Sequence, residues 1–219
     1  MTKKITFISD SPDLEILKPF SSSRAVPSWY RKMKGVNDGT MSVKKCVPFL
    51  DSITSGYMIP LTSDITWNKK EKMFQSDSVI HPISQHEISQ TKEVEVSKEY
   101  IPIPFKWNSN WMIKTPKGYS TLFIHPLNRL DLPFYSFSGI VDTDKHPLII
   151  NFPFVLKKDF EGQIEAGTPM IQAIPFKRDK WSSKIIDEGD PYFYPYTYKV
   201  MEPPFGYYKR NFWSRKEFK

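Results

Sequence analysis

Nineteen prolines stand against nine glycines in this chain of 219 residues. Proline fixes φ and carries no N–H, so it breaks helix interiors and is kept out of central strand positions. A chain so rich in it is expected to form short strands, long irregular connections and few helices. Runs such as Ile101-Pro102-Ile103-Pro104-Phe105 show the pattern directly, with apolar residues suited to strands and prolines that keep those strands short. Hydrophobic residues make up only 39% of the chain, but aromatics reach 15%. Each ring can bury roughly 150–250 Å², so a full core is within reach without disulfide staples.

The strand reading follows the apolar texture between turn signals. Residues 4–9, 119–124, 148–156 and 170–176 each read as a strand, and Lys92-Glu93-Val94-Glu95-Val96 alternates as an exposed strand does. Asp10-Ser11-Pro12 reads as a turn. A short helix is expected from Pro27 or Ser28 to Gly35, with Trp29, Tyr30 and Met33 toward the core. Residues 42–67 read as short strands or one helical turn broken at Pro48 and Pro60. A second helix is expected from Lys180 to Glu188, stopped by Gly189-Asp190-Pro191.

Charge and cysteine content narrow the function. The net charge is +7 and looks spread, denser only at the two ends, so a solvated basic surface is expected and nucleic acid is not an expected partner. The single cysteine, Cys46, excludes a disulfide framework within one chain and reads as a buried, inert thiol. His81 and His86 lack a third ligand nearby, so no metal site is expected. No stretch is long and apolar enough to span a membrane, and Met1–Thr6 lacks a signal-peptide run, which points to a soluble protein of the cytoplasm. The C-terminal residues Tyr192 to Tyr198 and Phe205 to Lys219 interleave rings with cations, and an arm packing on a neighbouring subunit is expected there.

Three further segments carry a resemblance. Lys114-Thr115-Pro116-Lys117-Gly118-Tyr119 is similar to the turn that precedes a core strand in dUTPases and dCTP deaminases. Gly139-Ile140-Val141-Asp142-Thr143-Asp144 resembles the Gly-Val-Ile-Asp-Ser-Asp motif of dUTPases, and Ala166-Gly167-Thr168-Pro169-Met170-Ile171-Gln172 resembles a later motif of that family. The resemblance implies a mainly β protein with a β-clip, dUTPase-like core at 100–178. An N-terminal β-rich or α+β region at 1–99 would pack on it, and a C-terminal aromatic arm would occupy 179–219. It also implies a homotrimer. Asp142, the first of the pair it forms with Asp144, takes the place of the aspartate that orients the attacking water, and Mg²⁺ would enter only with nucleotide chemistry. His125, Asn128, Arg129, His146 and Gln172 are the ligand-binding candidates.

The departures fall where a nucleotide would sit. His125-Pro126-Leu127-Asn128-Arg129 replaces an Arg-Ser-Gly phosphate motif, Lys145-His146-Pro147 replaces a Tyr-x-Gly, and Pro169 replaces an arginine. Asp-x-Asp in a turn also serves simply to satisfy backbone N–H groups. More of the chain, including Trp111 to Ser120 and Ile174 to Arg178, resembles uncharacterised proteins of tailed, T4-like marine bacteriophages. The reading is therefore a non-catalytic phage protein acting by assembly or binding, as a virion component or in the infected host cytoplasm. Its partners would be copies of itself or other phage structural proteins. The alternatives are a nucleotide-processing enzyme of dUTPase-like type with an altered substrate, or a nucleotide-binding sponge.

Overall fold

The computed structural model describes residues 2–9, 17–185, 199 and 206–219. Sixteen short strands form five antiparallel sheets among them. The largest runs β13 (Gly139–Val141), β11 (Tyr119–Ile124), β16 (Pro169–Lys177), β5 (Tyr57–Pro60) and β2 (Phe20–Ser21). A four-stranded sheet runs β12 (Phe134–Ser136), β14 (Phe152–Leu156), β9 (Phe105–Trp107) and β8 (Ile83–Gln85). A third joins β15 (Gly162–Ile164), β6 (Ile65–Asn68) and β7 (Met73–Gln75). Two ribbons complete the set, β1 (Thr6–Ile8) with β10 (Met112–Lys114) and β3 (Val36–Asn37) with β4 (Thr40–Met41).

The protein is mainly β, as the prolines dictate. Only β11 and β16 exceed five residues, and they pair along their length, from Tyr119 opposite Lys177 to Ile124 opposite Gln172. Strands from before residue 100 enter the same sheets as those after it: β5 pairs with β16, β6 with β15 and β8 with β9. The core lies between these sheets and is built of rings. Trp67, Trp107, Phe123, Phe134 and Phe154 are each fully buried. Trp107 stacks on Phe154 with centroids 3.6 Å apart and planes 7° from parallel. Its indole N–H donates to Ser136 Oγ at 3.0 Å, and Ser136 Oγ donates onward to Met170 O at 2.7 Å.

A small helical lobe sits on the outer side at β2 and β5. It contains α1 (Ser28–Lys32) and α2 (Val47–Thr54), preceded by 3₁₀ turns at Ser22–Ala25 and Val43–Lys45. Pro48 starts α2 rather than breaking the chain, because the first helical turn does not need proline's missing N–H. Gly56, at φ +71°, returns the chain from α2 to β5; a Cβ there would stand 2.1 Å from the Ala173 carbonyl oxygen. No side chain fits this approach.

Several expectations are corrected. Cys46 is exposed, because it caps the start of α2 at the surface. Residues 92–96 form no strand: 92–94 are turn and bend following α3 (Ile88–Thr91), and 95–96 are irregular. The strand read at 148–156 begins only at Phe152; Leu148 and Ile149 are exposed at 64% and 39%. Residues 180–185 are not helical. The turn at 10–12, the remainder of that helix, its stop at 189–191 and the aromatic run 192–198 lie outside the described residues. No helix among the described residues is long and apolar enough to cross a membrane.

The C-terminal segment folds onto its own chain. Trp213 Nε1 donates to Asp51 Oδ2 at 2.8 Å, Ser21 Oγ donates to the Phe218 carbonyl at 2.6 Å, and the Phe218 ring meets Tyr57 edge-on. Asp51 and Tyr57 stand on α2 and β5, so these contacts tie the chain end to the helical lobe.

Candidate functional site

Two of the glycine-marked segments, 114–119 and 139–144, meet at one end of the five-stranded sheet, beside the end of β16, whereas the third, 166–172, opens β16 at the opposite end. β11 starts after the Gly118 turn, β13 runs into Asp142, and β16 ends beside both. Gly118 N–H donates to Asp144 Oδ2 at 2.8 Å. The sequence-predicted pair, Asp142 and Asp144, is thus brought together with that turn, and a third group completes the arrangement. Arg178, one residue past β16, donates from Nη2 to Asp144 Oδ2 at 2.5 Å and from Nη1 to Asp144 Oδ1 at 2.9 Å. Its Nη1 also reaches Asp142 Oδ1 at 3.2 Å and the Tyr119 carbonyl at 2.8 Å. Ser120 Oγ donates to Asp142 Oδ1 at 2.7 Å. Between the two aspartates, the buried Thr143 hydroxyl pairs with Thr115 Oγ1 at 2.7 Å and Thr121 Oγ1 at 2.9 Å.

This geometry ties strand ends. The Asp144 side chain is 3% exposed, whereas that of Asp142 is 51% exposed. The Arg178 hydrogen bond, then the Gly118 N–H, hold the Asp144 carboxyl well below its ordinary value, at about 2. The same contact holds the Arg178 guanidinium more firmly protonated. A carboxylate this acidic is a permanent acceptor at neutral pH and is a poor proton carrier there. Arg178 escaped the sequence reading because nothing local marks it. The signal available was the strand alternation Gln172, Ile174, Phe176, Arg178, which places it on the face of Ser120.

The other candidates do not converge on this pair. His125, Asn128 and Gln172 gather at the far end of β11, which at about 3.3 Å per residue places them roughly 20 Å away along the strand. Gln172 is fully buried and saturated. Its Nε2 donates to the Ser52 and Ser55 carbonyls at 2.9 and 2.6 Å, and its Oε1 accepts the Leu127 N–H at 2.9 Å. Asn128, at φ +61°, donates to Ser52 Oγ at 2.8 Å. Both residues fasten the 125–132 loop and β16 to the end of α2. Arg129 forms a two-pronged pair with Asp131 at 2.9 Å. His146 follows Asp142 in the same turn, where its N–H donates to the Asp142 carbonyl at 2.9 Å and its Nδ1 lies 3.1 Å from the Leu148 carbonyl. Among the described residues no group of three His, Cys, Asp or Glu is placed to hold a metal ion.

His125 is 7% exposed and stacks on Tyr135 at 5.0 Å. Its Nδ1 accepts the Ser136 N–H at 3.3 Å, and its Nε2 lies 3.2 Å from the Arg129 carbonyl, so the neutral ring donates there. Burial lowers its pKa below 6.5. The unfolded chain therefore takes up this proton at a higher pH than the folded one. Stability from His125 is expected to be complete above about pH 6.5 and to fall as the pH drops toward 5. Urea midpoints between pH 7.5 and 5.0 check this; the fall should flatten in His125→Gln.

Comparison with family models, with curated proteins and with solved structures finds no match to this chain. Fold and site together define a mainly β protein whose acidic pair is closed by an arginine of its own chain.

Proposed function

We propose that this protein acts by binding or assembly and not by catalysis. The observation that carries the reading is the Arg178 clasp: the group able to hold a phosphate at the acidic pair is engaged by two carboxylates and a carbonyl of its own chain. The residues that would recognise a nucleotide are likewise spent on structure, Gln172 and Asn128 on backbone and serine partners and His125 on a neutral internal bond. The proposal includes a β-clip-like core, supported by the meeting of the segments 114–119, 139–144 and 166–172 in one antiparallel sheet. It also includes a place among tailed-phage proteins, supported by the resemblance of the sequence alone, and a homotrimeric state. Light scattering at micromolar concentration tests the trimer, and mass spectrometry of purified particles tests a virion role.

The decisive assay is turnover. A panel of deoxynucleoside triphosphates with Mg²⁺, read by phosphate, pyrophosphate and ammonia release, is expected to show no turnover above a protein-free blank. Release that disappears in Asp142→Ala would replace this reading with a nucleotide-processing enzyme. Tight nucleotide retention without release, seen by native mass spectrometry, would replace it with a sponge.

A further inference from the structure

The positive charge is concentrated in space. Residues 24–54 and 206–219 hold eleven Lys and Arg against three Asp and Glu, a surplus of eight, whereas the whole chain carries +7. The rest of the protein is therefore close to neutral. The fold joins these two distant segments on one lobe. Trp213 and Lys216 both bind Asp51 of α2, each at 2.8 Å. Lys45 and Lys209 line one surface cavity of 370 Å³, and Arg24 and Lys219 line another of 520 Å³. Ten of the eleven cations are exposed, Lys44 being half-buried. The lobe's own carboxylates are partly used, Asp51 by Lys216 and Glu217 by Arg215 and Lys219. Arg24, Arg31, Lys32, Lys34, Lys45 and Lys209 have no carboxylate partner among the described residues.

Rings lie among these cations. Phe212 is 49% exposed, Trp29 and Tyr208 are half-exposed, and Trp213 has Lys209 and Lys216 within 5.8 and 5.7 Å of its ring. We propose that this lobe is a binding surface for single-stranded nucleic acid, in which the lysines and arginines follow the phosphates and the exposed rings stack on bases. The proposal rests on the reading that the chain works by binding, and it names the partner. A second copy offering the same face would be repelled by like charge. The lobe's helices, five and eight residues long, are too short to lie in a membrane interface as an amphipathic helix does.

Fluorescence polarisation with a labelled 20-nucleotide single strand tests this. Duplex DNA of equal length, poly-glutamate and phosphatidylserine vesicles serve as competitors. Binding is expected at 50 mM salt and should weaken roughly 10- to 100-fold by 200 mM. The combined variant Lys32→Glu, Lys34→Glu, Lys45→Glu and Lys209→Glu should lose at least about tenfold in affinity with an unchanged circular dichroism spectrum, and the salt slope should fall by about one for each lost phosphate contact. The control Lys69→Glu with Lys70→Glu, on the β6–β7 turn, should bind as the wild type does. No binding at 50 mM salt, equal binding by the four-site variant, or stronger competition by duplex, poly-glutamate or vesicles overturns the proposal. The nucleotide turnover assay is separate, so a silent oligonucleotide assay removes this partner without deciding whether the protein is an enzyme.

Discussion

Trp107→Ala is expected to lower the stability by about 3–5 kcal/mol, the usual range for removing a fully buried large ring. Trp107 is at the centre of the ring core, 0% exposed, stacked on Phe154 and edge-on to Phe134 at 4.9 Å. Truncation opens a cavity that neighbouring rings cannot fill, because rings are rigid and already pack in fixed orientations. It also removes a donor from Ser136 Oγ, which keeps its bond to the Met170 carbonyl. Urea denaturation of the two proteins at pH 7.5 measures the difference. Trp107→Phe, which keeps most of the volume and loses the N–H, should fall between them.

Gln172→Leu is expected to be nearly as damaging, although the volume hardly changes. Three backbone groups lose their partner at once: the Ser52 and Ser55 carbonyls and the Leu127 N–H. Each buried group left unpaired costs about 1–3 kcal/mol, so a loss of at least about 3 kcal/mol is expected. The damage should be local to the junction of α2, the 125–132 loop and β16. Hydrogen exchange in those segments, more than elsewhere, should rise in the variant. A loss below about 1 kcal/mol would show that water replaces the amide, and that this junction is wetter than its burial implies.

The elements legible in the sequence are those that local signals mark. The strand 119–124 was legible to the residue, because Gly118 opens it and strand-favouring residues, from Tyr119 and Thr121 to Leu122, Phe123 and Ile124, fill it. The strand read at 170–176 was legible to within a residue at each end, and the start of α1 at Ser28 after Pro27 followed from proline's fixed φ. What escaped depends on contacts far apart in the chain. Arg178 finds Asp144 across 34 residues, and Trp213 finds Asp51 across 162. The charge looked spread along the chain because its two dense segments meet only after folding. Cys46 looked buried from its apolar neighbours Val43, Val47 and Phe49, yet its place at a helix start turns it outward. His125 looked like a ligand from its side-chain chemistry, which is the same whether its nitrogens face a substrate or two backbone groups.

The clasp is the point on which the functional reading depends. Because Arg178 binds the acidic pair, Asp144 is ionised at neutral pH and the two aspartates hold three strand ends together. The direct measurement is an NMR titration of the aspartate side-chain carboxyl carbons, with Asp144→Asn used to assign the resonance. The account predicts that Asp144 titrates with a midpoint of about 2, below the ordinary 3.8. Its midpoint should move toward the ordinary value in Arg178→Gln. A midpoint at or above 3.8 in the wild type would contradict the clasp and return Asp142 and Asp144 to candidacy as a catalytic pair.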